Sequence, residues 1–112
     1  MPPRQAAYLL DILHSAEAIQ GYTAGYDREE FLRDAKTQDA VLRRFLVAGE
    51  AAARLTQETR DLLPSIPFHQ VIGMRNRVVH DYGHVDLEIV WETVEYHISP
   101  VIAELKRFLA DC

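Results

Sequence analysis

The chain has 112 residues, the size of one domain, expected to span residues 1–112, with enough length for a self-sufficient core. Apolar residues make up 48% of it and charged residues 26%, a globular balance that argues against disorder. A net charge of −5 excludes a protein that coats nucleic acid nonspecifically, so any grip on phosphate must come from a local cluster.

Five helices are expected. The first runs from about Arg4 to Gln20, with Tyr8, Leu9, Ile12, Leu13, Ala16 and Ile19 at helical spacing. Gly21 and Gly25 should break it. Asp27 then reads as an N-cap, with Glu30 completing a capping box for a short helix through about Asp34. A third helix should open at Thr37 or Asp39 and run to about Thr56. Its run Ala48-Gly49-Glu50-Ala51-Ala52-Ala53 is short-sided, which marks a seam where another helix can approach closely. Glu50 and Arg54 are four residues apart and can pair across one turn; the alternative for Glu50 is a place in a functional cleft.

Pro67 suits the first turn of a fourth helix, whose buried side draws on Phe68, Val71, Met74 and Val78. Gly83 is placed to stop that helix in a left-handed cap. Asp86 should cap a fifth helix, from about Leu87 to Leu109, kinked at Pro100. No segment alternates with a period of two, so the fold class is all-α, an up-and-down bundle. The wide apolar stripes on the third and fifth helices could also serve a homodimer.

Cys112 is the single cysteine, which allows no disulfide within the chain and fits a reducing cytosol. The stretch after Met1 is interrupted by Asp11 and Glu17 and lacks the apolar core of a signal peptide. No segment has the length to cross a bilayer. A cytoplasmic protein with no membrane partner is expected.

Arg75-Asn76-Arg77-Val78-Val79-His80-Asp81-Tyr82 gathers a permanent cation, an imidazole and a phenol within about two helical turns. Asn76 and His80, four apart, share a helix face, while Arg75 sits roughly 140° around the axis from His80. A long arginine can wrap toward the same groove, or Arg75 of one subunit can meet His80 of another. A helix C-terminus favours a cationic imidazole. Such a histidine can act as general base on a ribose 2′-hydroxyl or as general acid on a leaving 5′-oxygen. Arg75 could hold the phosphate and stabilise charge developing on it. Tyr82 and Asn76 could hydrogen-bond the phosphate, and the Tyr82 ring could stack on a base. Attack by the 2′-hydroxyl needs no metal. Spacing alone does not separate such a site from an ordinary polar helix face.

The segment resembles the Arg-x4-His-x-Tyr motif of the HEPN superfamily, and specifically the HepT-like toxins. The likeness extends to Phe31-Leu32, Asp39-Ala40-Val41, Gly49-Glu50-Ala51-Ala52, Ile72-Gly73-Met74 and Val85-Asp86-Leu87 through Val90-Trp91. It implies a HEPN-like homodimer whose two motifs face one cleft. It further implies metal-independent RNA cleavage with Arg75 and His80 as the catalytic pair, and no cofactor held by this chain. The resemblance also implies a toxin–antitoxin pair with an MntA-like nucleotidyltransferase, which uses ATP to transfer AMP to Tyr82. A noncatalytic HEPN module, acting only as partner or substrate of such an enzyme, is the alternative.

Other candidates are weaker. His80 and His84 are four apart but lack an evident third ligand, so no metal site is expected. His14, His69 and His97 are isolated, and Phe45, Phe68 and Trp91 fit core positions. Glu29-Glu30, Glu92 and Glu95 read as solvated faces, and Cys112 as no nucleophile.

Overall fold

Asp27 starts the fold's second element as its spacing requires. Its carboxylate accepts the Glu30 N–H at 2.8 Å, and the Glu30 carboxylate accepts the Asp27 N–H at 3.2 Å. The computed structural model describes residues 1–111, so Cys112 and the expectations attached to it lie outside the described residues. The order is α1 (Pro3–Tyr22), α2 (Arg28–Arg33), α3 (Ala35–Ala53), α4 (Gln57–Asp61), α5 (Phe68–Asp81), a 3₁₀ turn (Tyr82–His84), α6 (Leu87–Tyr96) and α7 (Ile98–Ala110). The described residues contain no strand.

Several boundaries differ from expectation, each for a local reason. α1 runs through Gly21, and the chain turns instead at Gly25, whose φ of +79° is the one left-handed conformation among the described residues. α3 opens earlier than Thr37 because Asp34 takes the cap. The Asp34 carboxylate accepts the Thr37 N–H at 3.1 Å, the Thr37 hydroxyl at 2.7 Å and the Tyr26 hydroxyl at 2.6 Å. Those donors, Tyr26 first, hold its pKa down at about 2. α3 also stops before Thr56, which instead caps α4 by accepting the Thr59 N–H at 3.1 Å. Arg60 of α4 then donates to the Ala52 carbonyl at 3.1 Å, joining the Leu55 N–H on that acceptor at the end of α3.

Pro67 stands just before α5 rather than inside its first turn. The expected left-handed cap at Gly83 is absent, because α5 tightens into the 3₁₀ turn, where Gly83 keeps a negative φ. The expected long last helix is two helices. Proline at 100 lacks the N–H that Tyr96 would accept, and its ring crowds that carbonyl. The break falls at His97, and Pro100 lies in the first turn of α7, where a missing N–H costs nothing.

α3 is the central element. α1 and α5 both pack on it, and α7 packs on α1. Leu9, Ile12, Val41, Phe45, Val78 and Leu105 belong to one continuous buried cluster. The Phe31 and Trp91 rings stack at 5.4 Å between centroids, fixing α2 to α6. Because α5 rests on α3 rather than on α6 or α7, a groove of about 450 Å³ opens between them. Ile12, Phe45, Met74, Ile89 and Val101 line it, with His69, Arg77 and His97 among its polar positions.

Candidate active site

Close approach of two helices sets the position of Arg75. A Cβ built on Gly49 of α3 would lie 2.1 Å from the Arg75 Cβ and 3.1 Å from the Val71 carbonyl oxygen. The short-sided seam is therefore real at Gly49. The lack of a side chain there lets the Arg75 stem lie directly on α3.

From that position Arg75 reaches Glu50. Its Nε donates to Glu50 Oε1 at 2.9 Å and its Nη2 approaches the same oxygen at 2.8 Å. Its Nη1 donates to the Asn76 side-chain oxygen at 2.6 Å. This replaces the expected pair between Glu50 and Arg54: the guanidinium lies close enough to supply two donors. The pair is only partly buried, with the Arg75 and Glu50 side chains 29% and 41% exposed, so it orients more than it stabilises. A guanidinium has five N–H donors, about three of which are used here. The remaining two, one on each terminal nitrogen, can take a phosphate.

Tyr82, 53% exposed, is held to α3 as well. Its hydroxyl donates to Asp39 Oδ1 at 2.9 Å, and this bond raises the phenol pKa above its ordinary value by favouring the protonated form. The sequence marks Asp39 as a possible helix start and as part of the family-like segment Asp39-Ala40-Val41, with no contact to Tyr82 implied. Its signal is nonetheless in the chain: Asp39 and Glu50 are eleven residues apart, about three turns, and so share one face of α3. Arg75 and Tyr82, seven apart on the antiparallel segment, meet those two carboxylates.

His80 is exposed in the last turn of α5, and Asn76 is exposed one turn earlier. Arg75 thus reaches α3 while His80 is exposed, and among the described residues no hydrogen bond joins the two. His84 is exposed in the 3₁₀ turn. Among the described residues no group of three or more His, Cys, Asp or Glu is placed to hold a metal ion. His69 and His97 line the apolar groove and His14 is exposed. Phe45, Phe68 and Trp91 are core. No helix of the described residues is long and apolar enough to cross a membrane.

The family model described as ribonuclease HepT-like matches residues 12–109 of this chain. The chain belongs to the HepT-like family of the HEPN superfamily. "Putative RNase MJ0125" of Methanocaldococcus jannaschii is 37% identical over 112 residues, covering 99% of this chain and 97% of the relative. "Probable ribonuclease HepT" of Thermococcus cleftensis is 37% identical over 100 residues, covering 89% and 91%. "Putative RNase TTE0752" of Caldanaerobacter subterraneus is 30% identical over 102 residues, covering 91% of each chain. No solved structure gives a significant match. The family to which this chain belongs is described as one of ribonucleases.

Proposed function

We propose that this HepT-like chain is the endoribonuclease toxin of a toxin–antitoxin pair and cuts RNA without a metal ion, using Arg75 and His80. The observation that carries the proposal is the aligned guanidinium of Arg75, fixed by Glu50 and Asn76 with two N–H donors to spare. Those donors suit the two non-bridging oxygens of a phosphodiester. The ribose 2′-oxygen attacks phosphorus, the bond to the 5′-oxygen breaks, and a 2′,3′-cyclic phosphate forms. His80 takes the proton lost from the 2′-hydroxyl as general base, and the 5′-oxygen takes a proton from water. A homodimer holds two such sites. The exposure of His80 favours that arrangement, since it puts the imidazole where a second copy can bring its own Arg75. The apolar groove between α5 and α6–α7, with exposed Ile89 on it, is the face we assign to that second copy.

Tyr82 is the switch in this proposal. Its exposed hydroxyl is open to a nucleotidyltransferase antitoxin of the MntA type, which would transfer AMP from ATP to it. The modified oxygen could no longer donate to Asp39, and its phosphate would add negative charge beside that carboxylate and the Arg75 site. A second reading is a noncatalytic module that serves only as that enzyme's partner. The excess of carboxylates, 17 against 12 cations, favours it, as does the engagement of Arg75 by Glu50.

Incubation of purified, unmodified protein with RNA in a chelator tests the choice. Cleavage leaving 2′,3′-cyclic ends, lost in Arg75→Ala and His80→Ala, is the expected result. Absence of cleavage at any protein concentration would favour the noncatalytic module. Intact mass after co-expression with the neighbouring nucleotidyltransferase should rise by AMP units, and Tyr82→Phe should prevent the rise.

A further inference from the structure

We propose that the cleft between α1 and α3 is a second RNA-binding subsite, in which Arg43 and Arg54 hold backbone phosphates of the strand leaving Arg75. The inference rests on the ribonuclease reading above and extends it along the strand. The cleft has a volume of about 340 Å³, and Tyr8, Asp11, Arg43, Glu50 and Arg54 line it. Glu50 joins it to the candidate site, because the carboxylate on its wall is the one that holds Arg75.

Arg43 and Arg54 are exposed, and their side chains have no hydrogen-bond or ion-pair partner among the described residues. Arg28, Arg75 and Arg107 are by contrast each paired with a glutamate. Arg43 on α3 and Arg54 at its C-cap are eleven residues apart, hence about 16 Å apart along the axis, with Glu50 between them. That is a linear track for a strand, not a single anion pocket. Tyr8, half-buried on the α1 wall, offers a ring to a base. Arg43 and Arg54 balance the carboxylates of Glu50 and Asp11 on the cleft lining, and Arg75 adds a third cation beyond Glu50, on a chain whose net charge is −5. This is the local cluster that an acidic protein needs if it is to hold RNA.

Fluorescence anisotropy of a labelled single-stranded oligoribonucleotide, with full-length His80→Ala protein to prevent cutting, tests the subsite. Adding Arg43→Ala and Arg54→Ala together should raise Kd by about tenfold or more and flatten the plot of log K against log salt by about 1.4. Arg33→Ala, which removes an exposed cation outside the cleft, should change neither. Asp11→Asn should tighten binding, a gain that an unfolded variant cannot produce. With His80 intact, the paired arginine substitutions should raise KM and leave kcat close to wild type.

Unchanged affinity and salt slope in the double arginine variant would overturn the subsite, even if the wild type cuts RNA. Failure of the wild type to cut, with RNA binding that still depends on Arg43 and Arg54, would overturn the ribonuclease reading and leave the subsite standing. Failure both to cut and to bind would overturn both.

Discussion

Gly49→Ala isolates the contact that sets Arg75 in place. The added Cβ would lie 2.1 Å from the Arg75 Cβ, 2.8 Å from its Cγ and 3.1 Å from the Val71 carbonyl oxygen. Carbon atoms at optimal separation are about 3.5–4.0 Å apart, so α3 and α5 must part by roughly 1 Å or more at their crossing. Neither the Arg75 Cβ nor the Val71 backbone can swing aside as a flexible side-chain tip could. Overpacking of this kind costs about 1–3 kcal/mol. Alanine recovers up to about 1 kcal/mol of that through its better helix propensity. The net expectation is a loss of about 1–2 kcal/mol, seen as a fall of roughly 5–10 °C in Tm.

Circular dichroism at the helix band during heating measures the shift. Gly21→Ala is the matched control, because nothing lies within 4 Å of a Cβ there. It should hold Tm or raise it slightly, for a stability gain of at most about 1 kcal/mol. If Gly49→Ala raised Tm as Gly21→Ala does, the close helix crossing would be wrong, and with it the placement of Arg75 against Glu50.

Other perturbations test the neighbouring contacts. Asp39→Asn should lower the phenol pKa of Tyr82 toward the usual tyrosine value, followed by tyrosinate absorbance; an unchanged titration would show that the Asp39 bond is not formed. The wild-type bond favours the protonated phenol, so its contribution to stability is present below pH 10 and is lost as pH rises through the raised pKa. Asp34 behaves oppositely. Its carboxylate titrates at about 2 against an ordinary 3.8, so its contribution is present above pH 3.8 and fades as the pH falls toward 2. Urea unfolding of Asp34→Asn should show a deficit at neutral pH that narrows over that acid window, and a constant deficit would contradict the capping assignment. Glu50→Ala should cut RNA cleavage by about 100-fold through loss of Arg75 alignment, with little change in fold; cleavage kinetics at wild-type levels would remove Glu50 from the site.

The helix set was legible because periodic apolar positions and caps are local signals. Asp27 with Glu30, and Asp86, act within three residues of themselves, and all three behave as their spacing indicates. Gly83 and the last helix were not legible in the same way. The end of α5 depends on a contact 43 residues away, between Tyr82 and Asp39, and the break at His97 on how far Pro100 disturbs the turn before it. The site shows the same division. Arg75, Asn76, His80 and Tyr82 stand in one segment, whereas the sequence offers Glu50 a nearer partner in Arg54. Arg75 takes its place only when Gly49 brings α5 onto α3, and that crossing is tertiary.

The proposed site takes Arg75 from one copy of the chain and His80 from another. Co-expression of Arg75→Ala and His80→Ala chains, each inactive alone, tests this. In a random mixture half the dimers pair one of each, and in those one of the two composite sites has both residues intact. RNA cleavage should therefore return to about a quarter of the wild-type level. A mixture as inactive as its two components would contradict a site shared between subunits.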